Sequence, residues 1–168
     1  GDSSPWLKRG AFSPSFSVRS IIMETKNMAY NEFVTYEMMY KDIMYHLIPK
    51  LPRDIKAIMG IPRSGMIAAS MISTELHIPM GIMGCDKFFS GNRVGSDNGI
   101  KSGKILVIDD SVNSGKTFGI FEKDIKCLSK NFEVVKAAVY MKKGGENIAS
   151  LFARYLDVPR IFEWNLFN

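Results

Sequence analysis

Cysteine, histidine and tryptophan each occur only twice among 168 residues. Cys85 and Cys127 lie far apart and fit a reducing cytosol better than a disulfide framework. His46 and His77 are also far apart, which leaves no credible histidine metal site. No apolar run reaches the length of a membrane-spanning helix, and the chain is expected to be soluble and cytoplasmic. Basic runs are missing too. Lys and Arg total 22 against 17 Asp and Glu, a mild net charge of +5 that suits an anionic small ligand at least as well as nucleic acid, and without clustered basic runs no nucleic-acid partner is expected. What remains is ordinary globular composition, 46% hydrophobic and 23% charged, in a chain long enough to bury a core without staples.

Residues 1–22 are rich in Ser and Pro, lack periodicity, and carry Lys8, Arg9 and Arg19 against Asp2 alone. They read as a leader or tail outside the domain, in preference to an organellar transit peptide, and the domain is expected over 23–168. From Met28 to Leu51 the residues Phe33, Tyr36, Met39, Tyr40, Ile43, Met44, Leu47 and Ile48 recur at helical spacing, and Pro49 and Pro52 end the pattern. Buried strands are expected at Ile55–Ile61, Ile78–Met83, Lys104–Ile108, Phe132–Met141 and Arg160–Trp164. Helices are expected at Met66–His77, Ser114–Lys130 and Glu146–Leu156. The polar, glycine-rich stretch 90–103 reads as a long loop. Strands alternating with helices imply an α/β fold, a doubly wound and mostly parallel twisted sheet flanked by helices. Ligands bind such sheets beyond the carboxyl ends of the strands, where the turns 60–65 and 109–117 fall.

The segment Ile105-Leu106-Val107-Ile108-Asp109-Asp110-Ser111-Val112-Asn113-Ser114-Gly115-Lys116-Thr117 concentrates the chemistry. An apolar strand delivers two adjacent carboxylates, and a small hydroxyl-rich turn then opens a helix. Backbone N–H groups of that turn, with the Ser114 and Thr117 hydroxyls, suit a phosphate, and Gly115 permits close backbone approach. Two acids beside a phosphate need a different partner. They can accept hydrogen bonds from vicinal hydroxyls or hold a divalent metal or its waters. A phosphate one sugar away from a diol describes a ribose 5-phosphate. The ending Ser114-Gly115-Lys116-Thr117 imitates a P-loop, but Asp110 stands where that motif needs its first glycine. An acid there would face a triphosphate, which argues against a nucleotide kinase.

On these residues the chain resembles the type I phosphoribosyltransferases, whose signature is an apolar strand, two acids and a phosphate loop of this composition. The likeness runs in order over roughly residues 28–164. It implies that Asp109 and Asp110 contact the ribose hydroxyls of phosphoribosyl pyrophosphate (PRPP), while Ser111, Asn113, Ser114, Gly115, Lys116 and Thr117 cradle its 5-phosphate. Arg63, Ser64 and Gly65 would hold the pyrophosphate, with Arg63 stabilising it as it leaves. The family's closing loop falls on residues 84–103, with Lys87 and Arg93 as its candidate cations. Mg²⁺ is the implied cofactor, met by Asp109 and Asp110 indirectly, through PRPP hydroxyls or water. A homodimer is implied as well.

The acceptor is read from two places. The position of Asn113 is often an aspartate in purine-salvage members, and an amide cannot act as a general base; this points away from hypoxanthine or guanine. Phe162 and Trp164 could stack on an acceptor. The run Pro159-Arg160-Ile161-Phe162-Glu163-Trp164-Asn165 also looks like a subgroup linked to ribofuranose synthesis for bacterial surface polysaccharides. That resemblance implies a sugar acceptor, and either a phosphatase partner or a further C-terminal domain. A nucleobase acceptor of the orotate, adenine or xanthine/guanine type is the alternative, and a non-catalytic PRPP sensor is another.

Overall fold

A computed structural model of the chain describes residues 32–84, 100, 102–156 and 158–166. The leader at 1–22, Cys85, Lys87 and Arg93 lie outside the described residues. Five parallel strands form the main sheet: β2 (Ile55–Gly60), β3 (Met80–Ile82), β4 (Lys104–Val112), β5 (Glu133–Met141) and β6 (Leu151–Tyr155). Their order is β3-β2-β4-β5-β6, with every pairing parallel. β1 (Glu32–Val34) and β7 (Arg160–Phe162) make a separate parallel pair.

The strand sequences divide between two cores because successive side chains point to opposite faces. Leu106 and Ile108 of β4 join Ile58, Ala137 and Val139 beneath helices α1 (Tyr36–Asp42) and α2 (Gly65–Leu76). Ile105 and Val107 join Ala57, Met59 and Ala138 on the other face, covered by Phe118 of α3 (Lys116–Ile120) and by Ile125 and Leu128 of α4 (Glu122–Leu128). The unbroken apolar run Ile105–Ile108 in β4 thus serves a strand covered on both sides, as a doubly wound sheet requires.

Several expected elements change shape. The helix expected from Met28 is preceded by strand β1, and α1 starts where the Thr35 hydroxyl accepts from the Met38 N–H at 3.1 Å. It then widens into a π turn at Ile43–Leu47 and tightens into a 3₁₀ turn at Ile48–Lys50, where Pro49 occupies an early position that needs no N–H. β4 runs four residues beyond Ile108, because β5 keeps pairing with it: Asp109 lies opposite Ala138 and Ser111 opposite Tyr140. The helix expected over Ser114–Lys130 breaks at Phe121 into α3 and α4. No helix forms at Glu146–Leu156. A turn-rich connection leads instead into β6, whose Leu151 and Phe152 pair with Ala137 and Ala138. Lys50 covers this outer strand by donating to the Phe152 carbonyl at 2.7 Å. The last strand stops at Phe162, and Glu163–Asn165 form a 3₁₀ turn. No helix among the described residues is long and apolar enough to cross a membrane.

Candidate active site

The carboxyl ends of β2 and β4 bring the two turns together. The Ile61 N–H donates to the Ile108 carbonyl at 2.9 Å, which carries the ladder past the end of β2 and sets the turn 62–64 beside the acids. Gly65, the first residue of α2, then packs directly on β4. A Cβ placed there would sit 2.7 Å from the Ile108 carbonyl oxygen and 3.0 Å from the Asp109 Cα. Within this turn the Pro62–Arg63 peptide is cis.

Asp109 and Asp110 are both buried, at 4% and 9% exposure. The Asp109 Oδ1 accepts from the Asp110 N–H at 2.9 Å, and the Ser111 hydroxyl donates to Asp110 Oδ2 at 3.2 Å. Burial, followed by the neighbouring Asp110 charge, pushes the Asp109 carboxyl up to about 8. Burial also raises Asp110. Arg160 opposes both shifts through its charge, and burial in turn lowers its own ionisation. Among the described residues neither acid forms an ion pair.

From the acids the chain turns through Asn113-Ser114-Gly115 into α3. Gly115 takes φ +74°, and a Cβ there would run into the Ile148 side chain, so glycine is required twice over. The turn encloses a cavity of about 140 Å³ lined by Asp109, residues 111–118 and Arg160. All six residues expected to form the phosphate loop border this one space. A second cavity, about 130 Å³, adjoins it at Asn113 and Arg160 and is completed by Lys142, Leu156, Val158 and Pro159. Arg63 and Ser64 border a third, about 210 Å³, together with Ile67, Trp164 and Asn165.

Of the two aromatics, Phe162 points into the core at 6% exposure, and Trp164 stacks on it with ring centroids 4.4 Å apart. Trp164 reaches the Arg63 turn, its indole N–H donating to the Ser64 hydroxyl at 3.2 Å. Arg160 and Lys142 escaped the sequence reading as site residues. In the sequence Arg160 stands beside the two aromatics, and Lys142 simply follows the expected strand Phe132–Met141. Nothing short of the β4–β5 register and the β1–β7 pairing places either one next to Asn113.

No family model matches the chain. It is similar to a hypoxanthine/guanine phosphoribosyltransferase of Methanohalobium evestigatum, 22% identical over 139 residues that cover 75% of this chain and 72% of the relative. Among solved structures it superposes on a purine phosphoribosyltransferase of Pyrococcus horikoshii with a TM-score of 0.59 at 22% identity, over 83% of this chain and 96% of that one. A xanthine-guanine-hypoxanthine phosphoribosyltransferase of Helicobacter pylori gives 0.60 at 15% identity, over 82% and 93%. The fold is that of the type I phosphoribosyltransferases. Within that phosphoribosyltransferase fold, the acid pair lies in the carboxyl-terminal half of the central strand of the sheet, and the glycine-containing loop follows the strand's last residue, Val112. Among the described residues no three His, Cys, Asp or Glu side chains gather as a metal cage.

Proposed function

We propose that the protein transfers 5-phosphoribose from PRPP to a purine base, releasing pyrophosphate. The observation that carries this reading is the convergence of three features on one sheet edge: the buried acid pair, the loop 111–117 and the Arg63–Gly65 turn packed against Asp109. In this reading the N–H groups and hydroxyls of Ser111, Asn113, Ser114, Lys116 and Thr117 take the 5-phosphate, with Gly115 giving it room. Asp109 and Asp110 accept from the ribose 2- and 3-hydroxyls. As the anomeric bond breaks, positive charge develops on the ribose ring, and the two buried carboxyls lie on the side where it grows. Negative charge develops on the pyrophosphate, where Arg63 and the Ser64 and Gly65 amides receive it.

Two carboxylates beside which no third His, Cys, Asp or Glu gathers among the described residues suit Mg²⁺, which keeps several waters and takes substrate oxygens. Asp109 and Asp110 would hold it through water or ribose oxygens, and bound there it would neutralise charge on the departing pyrophosphate.

The purine relatives support a nucleobase acceptor, and no relative described above belongs to the polysaccharide-linked subgroup. The sugar acceptor and its phosphatase partner therefore rest on residues 159–165 alone. Lys142 and Asn113, at the second cavity, offer donors to an exocyclic carbonyl oxygen, which favours an oxopurine over adenine. The test is pyrophosphate release from Mg²⁺–PRPP with hypoxanthine, guanine, xanthine, adenine, orotate and uracil offered separately. Release with an oxopurine is expected. Silence with every base, alongside stabilisation by PRPP, would replace this reading with a sugar acceptor or a PRPP sensor.

A further inference from the structure

Ser64 opens α2 as its N-cap residue, yet its side chain makes no capping bond. A capping serine takes an extended backbone and accepts from an N–H of the first turn. Ser64 is instead already helical, at φ −70° and ψ −30°, and its hydroxyl meets the Trp164 indole N–H at 3.2 Å. An indole nitrogen only donates, so Ser64 accepts here and its own proton points away from Trp164. Among the described residues that proton has no acceptor. Ser64 borders the cavity of about 210 Å³ that it shares with Arg63, Ile67, Trp164 and Asn165. Trp164 itself is held firmly. Phe162 stacks on its ring at 4.4 Å with 12° between the planes, and Tyr36 leans on it at 5.1 Å. Its neighbour Glu163 accepts from the Tyr36 N–H at 2.9 Å, which ties the turn 163–165 to the start of α1, a tie separate from the Arg154 ion pairs.

We infer that Trp164 is a positioning residue for the departing pyrophosphate: its indole N–H fixes the Ser64 hydroxyl so that the hydroxyl proton is donated to the leaving group, beside Arg63. The inference rests on the phosphoribosyl-transfer reading above and needs no particular acceptor. It gives Ser64 a second donor besides its backbone amide, and it gives Trp164 a part on the pyrophosphate side of the site. A serine left to itself would rotate its hydroxyl freely or cap its own helix, and either would cost the anion a donor. A donor already aimed at the place where negative charge grows needs no reorganisation as the anomeric bond breaks. The strut reaches Ser64 from the far end of the chain, one hundred positions away in sequence. The turn after β7 thereby sets one side chain of the turn after β2.

Calorimetry with Mg²⁺–pyrophosphate and with ribose 5-phosphate, in the native protein and in Trp164→Phe, Ser64→Ala and the double variant, tests this. Ser64→Ala should weaken pyrophosphate by about tenfold, the loss expected when a charge-assisted hydrogen bond is removed. Trp164→Phe keeps an aromatic ring against Phe162 and removes only the N–H; it should weaken pyrophosphate by about three- to tenfold and leave ribose 5-phosphate within about twofold. The double variant should bind no worse than Ser64→Ala alone, because both substitutions act through one hydroxyl. A spectroscopic readout is available as well. Trp6 and Trp164 are the two tryptophans of the chain, so Trp6→Phe leaves the indole on Ser64 as the one emitter. Its emission should change saturably with Mg²⁺–pyrophosphate. Additive losses in the double variant, or equal losses for both ligands in Trp164→Phe, would make Trp164 a packing residue and overturn the inference. A silent Ser64→Ala, or an emission that ignores pyrophosphate while calorimetry shows it bound, would overturn it too. In all these cases the transfer reading stands, whereas a native protein that binds neither PRPP nor pyrophosphate brings down both.

Discussion

Gly65 leaves no room for a side chain against Asp109: a Cβ at that position would lie 3.1 Å from the carboxyl Oδ1 and closer still to the backbone of β4. The helix that follows the Arg63 turn is therefore seated on the acid pair by van der Waals contact, and both halves of the candidate site move together. Gly65→Ala must push α2 away from β4. The expected loss is about 1–3 kcal/mol in chemical denaturation, the range of overpacked interiors. Because the displaced turn carries Arg63 and Ser64, affinity for pyrophosphate should fall more than affinity for ribose 5-phosphate. Equal affinities for both ligands, before and after the substitution, would separate the turn from the site.

The acid pair gives stability a pH dependence of unusual sign. In the unfolded chain both carboxyls ionise near the ordinary value of 3.8, whereas in the fold Asp109 holds its proton up to about 8. Between those limits the folded state binds more protons than the unfolded one, so stability falls as pH rises through this window and levels off above it. Melting temperature followed from pH 4.5 to 8.5 should show the decline. Asp109→Asn with Asp110→Asn should flatten it, keep the fold and abolish transfer. Persisting transfer in that variant would remove the acids from the site.

How far the sequence reveals this architecture depends on where each element gets its stability. The β4 segment and its loop are legible because their local requirements coincide with the final structure: apolar residues for a strand covered on both faces, then glycine and hydroxyls for a turn. α2 is legible from its spacing and its preceding Pro-Arg-Ser turn. The segment 146–156 is not, since the alternation in Leu151–Tyr155 is short and its strand form depends on a partner, β5, that is distant until the sheet assembles. β1 is likewise hidden. Three residues pair with β7 across more than a hundred positions of sequence, and their helical-looking spacing merges with that of α1. The same long-range pairing hides Arg160, which local sequence places only near two aromatic rings.

Gly115 offers a sharper test of the loop than any hydroxyl. Its φ of +74° disfavours a side chain, and the Ile148 side chain occupies the space a Cβ would need. Gly115→Ala should cost about 1 kcal/mol or more in stability and reduce binding of ribose 5-phosphate by a larger factor. Ile148→Ala would relieve the clash but leave the backbone strain. Combined with Gly115→Ala, it should restore part of the stability and little of the binding. Full recovery of binding in the double variant would show that the loop needs space alone, without its left-handed residue.

Arg154 joins the small β1–β7 pair to the main sheet. It donates to Asp42 at 2.8 Å and to Glu32 at 2.7 Å, and its guanidinium lies 5.1 Å from the centroid of the Tyr140 ring. The Tyr140 hydroxyl also donates to Asp42, at 2.8 Å; burial and that carboxylate raise its ionisation well above the ordinary tyrosine range, so it remains a donor. Glu32 faces Arg160 in the strand register, so the ion pair anchors the strand beside the one that carries Arg160. Arg154→Met would leave the Asp42 carboxylate with the tyrosine hydroxyl alone. With the arginine about one-third exposed, at 32%, solvent screening holds the expected loss to about 1–2 kcal/mol, below that of a fully buried pair. Tyr140→Phe should cost about 1 kcal/mol, and the double variant less than the sum, because both substitutions remove partners of one carboxylate. The functional consequence follows from which elements move. Loosening β1 and β7 should raise the KM of the acceptor and leave PRPP binding on β4 nearly intact, and steady-state kinetics of Arg154→Met with each substrate varied would measure that split.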